Sequence, residues 1–212
     1  MEIVFYSKGS DIVKPNLVTG FYGDVLDLLN LGFEIDGIVY DEAWSVSRFL
    51  KGHKVFGLDS RIDAIFKYLD IDTSLKNVKL GHLSKTDFKF ILLAKVLLLN
   101  ENNIVFDYFD VGLTSKEQKR LIKIIKMLKK DGKTVVIISN NLVFMSSVID
   151  HVVIINNGSI FYEGNLDDLI KLRDVPDTEI IKFIKLANKS GANLNYTLDS
   201  KELLKDIYRS VC

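Results

Sequence analysis

Residues 82–164 alternate short apolar segments with amphipathic helical segments, and this order constrains the fold more than any other feature of the sequence. Residues 103–107 and 134–139 are apolar runs of strand length, and residues 115–130 between them carry Leu and Ile at helical spacing. Residues 152–155 form a third apolar run. Strand, helix and strand at these lengths predict a mainly parallel sheet flanked by helices.

The third apolar run is followed by a strong turn signal. Asn157 and Gly158 form the dipeptide that favours a tight turn, and Ile160, Phe161 and Tyr162 follow it. We therefore expect a hairpin at the end of this part of the chain.

The composition excludes several functional classes. The 212 residues include 28 Lys and Arg against 28 Asp and Glu, and the resulting zero net charge argues against a dedicated nucleic-acid surface. The single cysteine, Cys212, excludes an internal disulfide framework. The longest apolar run, residues 91–99, is interrupted by Lys95, so we expect neither a secreted nor a membrane-spanning chain.

Polar residues stand at regular places along the same run. Ser84 precedes a helical segment, Asp107 ends an apolar strand, Gly112 and Thr114 precede the charged helix, and Asn140 follows the next strand. In this order the sequence resembles the ATPase subunits of ATP-binding cassette (ABC) transporters, with a signature loop, a Walker B strand, a D-loop and a switch-histidine position. The resemblance implies an α/β, P-loop-NTPase-like fold with a mainly parallel sheet flanked by helices.

The C-terminal part of the chain is predicted to form two amphipathic helices, residues 177–190 and 199–210, and Pro176 is placed to open the first of them. This part is similar to the helical extension of the ATPases that energise energy-coupling-factor (ECF) transporters, where it helps to hold two ATPase subunits together. We therefore expect residues 1–170 to form the ATPase-like domain and residues 171–212 a dimerisation extension. The alternative is that the extension only packs on its own domain.

The segment that matches the family's phosphate-binding loop, residues 18–26, lacks the groups that hold phosphate. Such a loop needs glycines, a Lys, and a Ser or Thr at the start of the following helix. Here aromatic residues occupy the loop, no Lys, Ser or Thr follows Gly23, and Asp24 is placed to begin the helix. Because this carboxylate would repel a phosphate, we expect no bound cofactor, and any binding of ATP and Mg²⁺ would be weak. The residues that match a weak or lost ATP site are Tyr6, Gly20, Gly23, Ser84 and Asp107.

Positions that match the catalytic groups of the family also hold other side chains. Tyr108 replaces the glutamate that polarises the attacking water, and a neutral phenol with a high pKa is a poor general base. Asn140 replaces the switch histidine and cannot carry a positive charge. Asp107 keeps the Walker B acid, which implies at most one ligand for Mg²⁺. The sequence therefore predicts a chain without catalytic residues.

The residues that would meet a second subunit differ as well. Residues 85–87, Lys-Thr-Asp, stand where the family's signature loop has Gly-Gly-Gln, Thr114 replaces the D-loop acid, and Asp59 holds the Q-loop position. Cassette ATPases bind each nucleotide between the phosphate loop of one subunit and the signature loop of the other. The resemblance therefore implies that neither composite site is fully equipped.

Two appendages of the family are short in this chain. Residues 2–15 precede the phosphate-loop segment, and residues 60–82 separate the Q-loop position from the signature position. The resemblance implies that the N-terminal β subdomain and the helical subdomain are both trimmed.

Each candidate site residue has an ordinary alternative. Asp107 fits either a Mg²⁺ ligand or a carboxylate at a strand end. Lys85 fits either a replacement phosphate ligand or a solvated loop lysine. Tyr6 fits either the aromatic side chain that stacks on adenine in the family or a strand residue half covered by the sheet. The three histidines share no ligand spacing, so a metal site built on them has no support.

Three functions are compatible with these residues. The first is a non-catalytic, pseudo-ATPase subunit of an ECF-type transporter that pairs with an ABC ATPase subunit, in a homodimer or heterodimer, and docks on a transmembrane subunit. The second is a weak or specialised ATPase that energises transport, and the third is a soluble adaptor derived from an ABC ATPase. All three place the protein in the cytoplasm, and the first places it peripherally on the inner face of the cell membrane.

Overall fold

The computed structural model describes residues 3–9, 11–23, 25–52, 58–156, 159–171 and 178–211. Within these ranges seven strands form one sheet, and in chain order they are β1 (Ile3–Lys8), β2 (Val18–Tyr22), β3 (Glu34–Gly37), β4 (Asn103–Asp107), β5 (Thr134–Ile138), β6 (His151–Asn156) and β7 (Ser159–Gly164).

The helices of the described residues are α1 (Val25–Asn30), α2 (Val46–Lys51), α3 (Asp59–Tyr68), α4 (Lys85–Leu99), α5 (Ser115–Lys130), α6 (Leu142–Ser146), α7 (Leu166–Lys171), α8 (Glu179–Lys189) and α9 (Ser200–Val211). Two 3-10 turns, Thr73–Asn77 and Leu80–His82, lie between α3 and α4.

The strand order across the sheet is β3-β1-β4-β5-β2-β6-β7. The four strands β4, β5, β2 and β6 pair in parallel, while β1 is antiparallel to β4, β3 to β1, and β7 to β6. Because β3 and the four central strands run in the same direction, the sheet is mainly parallel, as the sequence predicts.

The central strands are mostly apolar, as expected for strands that are covered on both faces of the sheet. Alternate residues of β4 point to opposite faces, so Phe106 joins the larger of two buried clusters and Val105 joins the smaller one. The larger cluster includes apolar side chains of α2 to α9, and the smaller one includes Leu28 of α1 and Phe33. A strand that is buried on both faces needs apolar side chains at successive positions. The apolar runs in the sequence therefore agree with the position of these strands in the sheet.

The hairpin and the charged helix are confirmed. β6 pairs with β7 from Val152 to Asn156, although the Asn157-Gly158 turn itself lies outside the described residues. Helix α5 begins at Ser115 because Thr114 and Glu117 form a reciprocal capping box, with the Thr114 amide donating to the Glu117 carboxylate over 2.6 Å.

The two C-terminal helices are also confirmed, with slightly different ends. Ile181 and Ile184 of α8 and Leu203 of α9 are buried in the larger cluster, so both helices pack on the sheet domain. Pro176 lies outside the described residues, and the boundary between residues 170 and 171 stays a prediction.

The segments before α4 are short, as expected. Among the described residues β1 is the strand that precedes β2, and after α3 the chain reaches α4 through the two 3-10 turns. Strand β3 and helices α2 and α3 are not predicted by the sequence pattern. Within the described ranges, no helix is both long enough and apolar enough to cross a bilayer.

Gly20 offers a direct test of the packing between β2 and α6. A Cβ atom on Gly20 would lie 2.9 Å from Ile149 Cγ2 and 3.1 Å from Met145 Sδ. We expect Gly20→Ala to lower the free energy of unfolding by about 1–3 kcal/mol, because the buried strand cannot move away from these side chains. Urea denaturation measures the change. Gly20→Val should cost more, and unchanged midpoints in both variants would contradict the close packing.

Candidate functional site

The carboxyl ends of β2, β4 and β5 lie at one edge of the sheet. The strands pair in parallel, with Phe21 of β2 and Asp107 of β4 both in register with Ile138 of β5. The residues that follow these ends, Gly23, Tyr108 and Asn140, are therefore brought to the same edge. In open parallel sheets this edge is where ligands bind.

Tyr108 crosses this edge. Its hydroxyl group donates a hydrogen bond to the Gly23 carbonyl oxygen over 2.7 Å, and its backbone amide donates to the Ile138 carbonyl over 3.0 Å. Because β5 lies between β4 and β2, the side chain spans the end of one intervening strand. The half-buried ring thus connects the end of the Walker B-like strand to the loop that matches the phosphate-binding loop.

The backbone at Tyr108 is left-handed, with φ of 46°. A bulky side chain in this region costs about 1–2 kcal/mol, because its Cβ atom crowds the following carbonyl group. Such a conformation persists only where surrounding contacts hold the residue in place. The hydrogen bonds of Tyr108 to Gly23 and Ile138 are two such contacts.

Two clefts have Tyr108 in their lining. The first, with a volume of about 430 Å³, is lined by Tyr108, Asp110, Val111, Gly112, Gln118, Ser139, Asn140 and Asn141. The second, with a volume of about 470 Å³, is lined by Lys85, Thr86, Lys89, Asp107, Tyr108, Val111 and Gly112. The structure therefore brings Asp107 and Lys85, two candidates from the sequence, into one cleft, and it places the exposed Asn140 in the other.

A buried lysine, which was not among the candidates from the sequence, forms hydrogen bonds to the turn after β4. Lys89 of α4 donates hydrogen bonds to the carbonyl oxygens of Phe109, over 3.0 Å, and Val111, over 2.8 Å. Its ammonium group also lies 5.1 Å from the centre of the Phe109 ring. A charged residue among the apolar residues of a central helix is the sequence signal that could have identified it.

Asp110 is the second residue that the sequence analysis missed. Its side chain is buried, and burial raises the pKa of this carboxyl group, because a charged form is poorly solvated there. Hydrogen bonds from Ser139 and Asn141 and the positive charge of Lys89 oppose this rise in the pKa. The first cleft therefore contains a buried carboxyl group at its wall.

Three candidate residues act in helix capping or in an ion pair. Ser84 caps α4, accepting from the Asp87 amide over 3.0 Å and donating its hydroxyl proton to the Asp87 carboxylate over 2.6 Å. Thr114 caps α5. Asp59 begins α3 and forms an ion pair with Lys51, and residues 53–57 before it lie outside the described residues.

Tyr6 and Gly20 lie in packed parts of the sheet. Tyr6 belongs to the smaller buried cluster, its ring contacts Phe33 edge to face, and burial raises its pKa to about 12. Gly20 lies inside β2, beneath Ile149. Nucleotide contacts by either residue stay predictions, and Asp24 lies outside the described residues.

Among the residues that the structure describes, no group of three or more His, Cys, Asp and Glu side chains is placed to hold a metal ion. Asp107 lies at the end of β4 and lines the second cleft, and its contact with Mg²⁺ stays a prediction.

Comparisons with known proteins connect the chain to ABC transporters. No protein-family model matches it. An energy-coupling factor transporter ATP-binding protein of Leuconostoc mesenteroides is 33% identical over 98 residues, which are 46% of this chain and 34% of that protein. A ribose import ATP-binding protein of Caldanaerobacter subterraneus is 29% identical over 109 residues, 49% of this chain and 21% of that protein. A galactose/methyl galactoside import ATP-binding protein of Clostridium perfringens is 29% identical over 153 residues, 68% of this chain and 29% of that protein.

Solved structures share the fold. A nucleotide-free ATP-binding cassette from an ABC transporter superposes with a TM-score of 0.60 at 18% identity, covering 86% of this chain and 99% of that one. A dimeric bacterial ABC transporter cassette superposes with a TM-score of 0.59 at 14% identity, covering 73% of this chain and 87% of that one. The chain therefore has the fold of an ABC cassette. It spans between 18% and 45% of the length of the curated relatives described by these comparisons.

The buried Asp110 generates a prediction about pH. Its raised pKa means that the folded state disfavours the charged form, so the carboxylate lowers stability above the unfolded pKa of about 3.9 and has no such effect well below it. We expect the difference in unfolding free energy between Asp110→Asn and the wild type to shift in favour of the variant as the pH rises from 4 to 7. Denaturation at several pH values measures it, and a difference that does not change with pH would contradict the prediction.

Proposed function

We propose, from the cassette fold and the sequence similarity to ABC transporter ATP-binding proteins, that this chain is a non-catalytic, pseudo-ATPase subunit of an ECF-type membrane transporter. In this proposal it pairs with an ABC ATPase subunit and docks on a transmembrane subunit at the inner face of the membrane. The observation that supports it most is the hydrogen bond from Tyr108 to Gly23.

The position of Tyr108 bears on catalysis in two ways. A neutral phenol is a poorer general base than the glutamate that it replaces, so the attacking water would lack an efficient activating group. The side chain also reaches the loop after β2, where its hydroxyl group donates a hydrogen bond to the Gly23 carbonyl oxygen. A nucleotide in the orientation typical of cassettes would have to displace this contact.

The start of α4 also differs from an anion site. The N-terminus of a helix favours negative charge, and in this chain Asp87, in the first turn, supplies it through its bond to Ser84. A partner's nucleotide phosphate approaching this end would meet a carboxylate of the same sign. This arrangement supports the inference that the segment matching the signature loop does not bind the nucleotide of a partner subunit.

The C-terminal helices support pairing with a second ATPase subunit. Their inner faces join the larger buried cluster, and their outer faces expose large apolar side chains: Phe183 (47% exposed), Leu186 (65%), Leu204 (54%) and Tyr208 (70%). Apolar surface of this kind is typical of interaction sites. Pairing through this surface would not require nucleotide. It is therefore compatible with a subunit that does not hydrolyse ATP.

A weak or specialised ATPase is the second candidate, and the cleft beside Asp107 favours it. Lys85, Lys89 and Asp107 line this one cleft, so two positive charges and a potential Mg²⁺ ligand lie together. This candidate requires nucleotide to bind away from the usual loop. The third candidate, a soluble adaptor, has the same fold. It would bind a soluble partner through the C-terminal helices α8 and α9.

Calorimetric titration with Mg-ATP separates the first two candidates. We expect no saturable heat and no rise in the thermal midpoint for the wild type, whereas a ligand at a hundredfold excess over its dissociation constant would add about 2.7 kcal/mol of stability. Asp107→Ala serves as the matched variant and should behave like the wild type. Mg²⁺-dependent binding that disappears in Asp107→Ala would instead establish the specialised ATPase.

Charged substitutions on the outer face of the tail test the pairing. We expect Leu186→Glu combined with Leu204→Glu to weaken self-association, or association with a co-expressed ABC ATPase subunit, at least tenfold, because burying each charge costs more than about 1.4 kcal/mol. Light scattering after gel filtration measures the effect.

Lys189→Glu, an exposed charge change on the same helix, is the control and should leave the association unchanged. A wild type that associates with neither a second copy nor an ABC ATPase subunit would overturn the proposed role of the tail.

A further inference from the structure

Residues 36–44, which run from the end of β3 to the start of α2, belong neither to the C-terminal pairing surface nor to the clefts beside Tyr108. We name this segment the acidic loop. It contains Asp36, Asp41 and Glu42, all exposed, and no Lys, Arg or His. Within the described part of the chain, none of the three acids forms an ion pair. The loop is therefore a negatively charged surface on a chain without net charge.

Apolar side chains lie among these acids. Val39 is 81% exposed, the highest value for a large apolar side chain in the described ranges, and Tyr40 beside it is 44% exposed. Exposed apolar surface with a polar rim is typical of a site that another molecule covers. The acidic loop thus has both the apolar centre and the charged edge of a docking surface.

Backbone hydrogen bonds hold the acidic loop against the body of the protein. The amide of Leu80 donates to the carbonyl oxygen of Trp44 over 2.9 Å, and the amide of Gly81 donates to that of Glu42 over 3.1 Å. Because these bonds fix the loop, a partner would bind a preformed surface and would lose little free energy in ordering it.

An aromatic contact places the loop beside α4. The ring of Tyr40 packs edge to face on Phe88 of α4, with ring centres 5.1 Å apart, and lies 6.5 Å from the ring of Phe49. Phe88 follows Ser84, the residue that caps α4, by one helical turn. A partner on the acidic loop would therefore lie next to the segment that matches the signature loop.

Charge complementarity identifies the kind of partner. Apolar side chains between carboxylates fit an amphipathic helix whose apolar residues are flanked by Lys or Arg. The cytoplasmic loops of membrane proteins carry an excess of Lys and Arg, so a transmembrane subunit offers the matching charge on the side where this chain would meet it.

We propose that the acidic loop is the surface on which the transmembrane subunit docks, through a basic amphipathic helix of one of its cytoplasmic loops. The apolar residues of that helix cover Val39 and Tyr40, and its Lys or Arg side chains pair with Asp36, Asp41 and Glu42. This inference rests on the proposed function, which requires a transmembrane subunit, and adds the docking surface and the chemistry of the segment that binds it.

Trp44 gives a direct signal for this test, because it is the single tryptophan of the chain and lies in the acidic loop. The probe is a synthetic helical peptide of about 18 residues, or five turns, built from Leu, Ala and Arg, and the comparison peptide has Glu in place of every Arg. We expect the Arg peptide to change the fluorescence of Trp44 in a saturable way that weakens as salt is added. The Glu peptide should cause no change.

Two variants locate the binding surface. Asp36→Asn, Asp41→Asn and Glu42→Gln together remove three charges but keep side-chain acceptors, including the one that Asp41 offers to the Ala43 amide over 2.8 Å. We expect this combined variant to bind the Arg peptide at least tenfold more weakly. Val39→Ser should weaken binding about tenfold, because it removes an apolar side chain that the peptide would bury.

A second combined variant is the matched control. Glu101→Gln, Asp131→Asn and Asp167→Asn remove the same number of charges at exposed positions outside the acidic loop. This variant should bind the Arg peptide like the wild type.

Three results would overturn the inference. A wild type that gives no saturable change with the Arg peptide lacks the docking surface. Equal binding of the two peptides, or undiminished binding by the combined loop variant, would place the peptide elsewhere. A change in Trp44 fluorescence that depends on protein concentration without peptide, and that the loop variant loses, would place a second copy of the chain on the loop.

The peptide measurements involve neither the C-terminal helices nor an ABC ATPase subunit, so the two proposals fail separately. A chain that pairs through α8 and α9 but does not bind the Arg peptide would contradict this inference alone. A chain that binds the Arg peptide but pairs with no ABC ATPase subunit would contradict the proposed pairing and leave the acidic loop as a docking surface.

Discussion

The hydrogen bond between the Tyr108 hydroxyl group and the Gly23 carbonyl joins two segments that would both contact nucleotide in a cassette ATPase. It crosses the end of β5 and links β4 to the loop after β2, so the carboxyl edge of the sheet is tied together by protein atoms. The left-handed backbone at Tyr108 directs the side chain across this edge at an energetic cost. This contact supports a non-catalytic, pseudo-ATPase subunit more strongly than the loss of any single motif residue does.

Neighbouring residues also form hydrogen bonds near the carboxyl edge of the sheet. Lys89 binds the turn after β4 through two carbonyl oxygens, and Ser84 and Thr114 cap the helices on either side of β4. Positions that in the family would face nucleotide or a second subunit thus carry groups with structural partners inside this chain. Such partners give these residues a role in stability that does not need a ligand.

The sequence predicted the elements whose burial leaves a regular pattern. β4 and β5 are apolar on both faces, and α5 has an apolar stripe and a capping box, so their limits agree with the structure within one residue. β3 is short, largely exposed and acidic at two of its four positions, so it carries no strand pattern. The link from Tyr108 to Gly23 joins residues 85 positions apart, which no local pattern can show. The buried Lys89 was missed because its carbonyl partners become neighbours only after folding.

Glycine-selective NMR tests the central claim most directly, because 13 glycines give a simple spectrum and Gly23 and Gly112 both lie at the candidate site. Amide signals are recorded for the wild type and for Tyr108→Phe, each with and without Mg-ATP. Our account predicts that Tyr108→Phe shifts the signal of Gly23, and that Mg-ATP moves neither Gly23 nor Gly112 in the wild type. A saturable, Mg²⁺-dependent shift of Gly23 in the wild type would contradict it, because nucleotide would then reach the loop that Tyr108 holds.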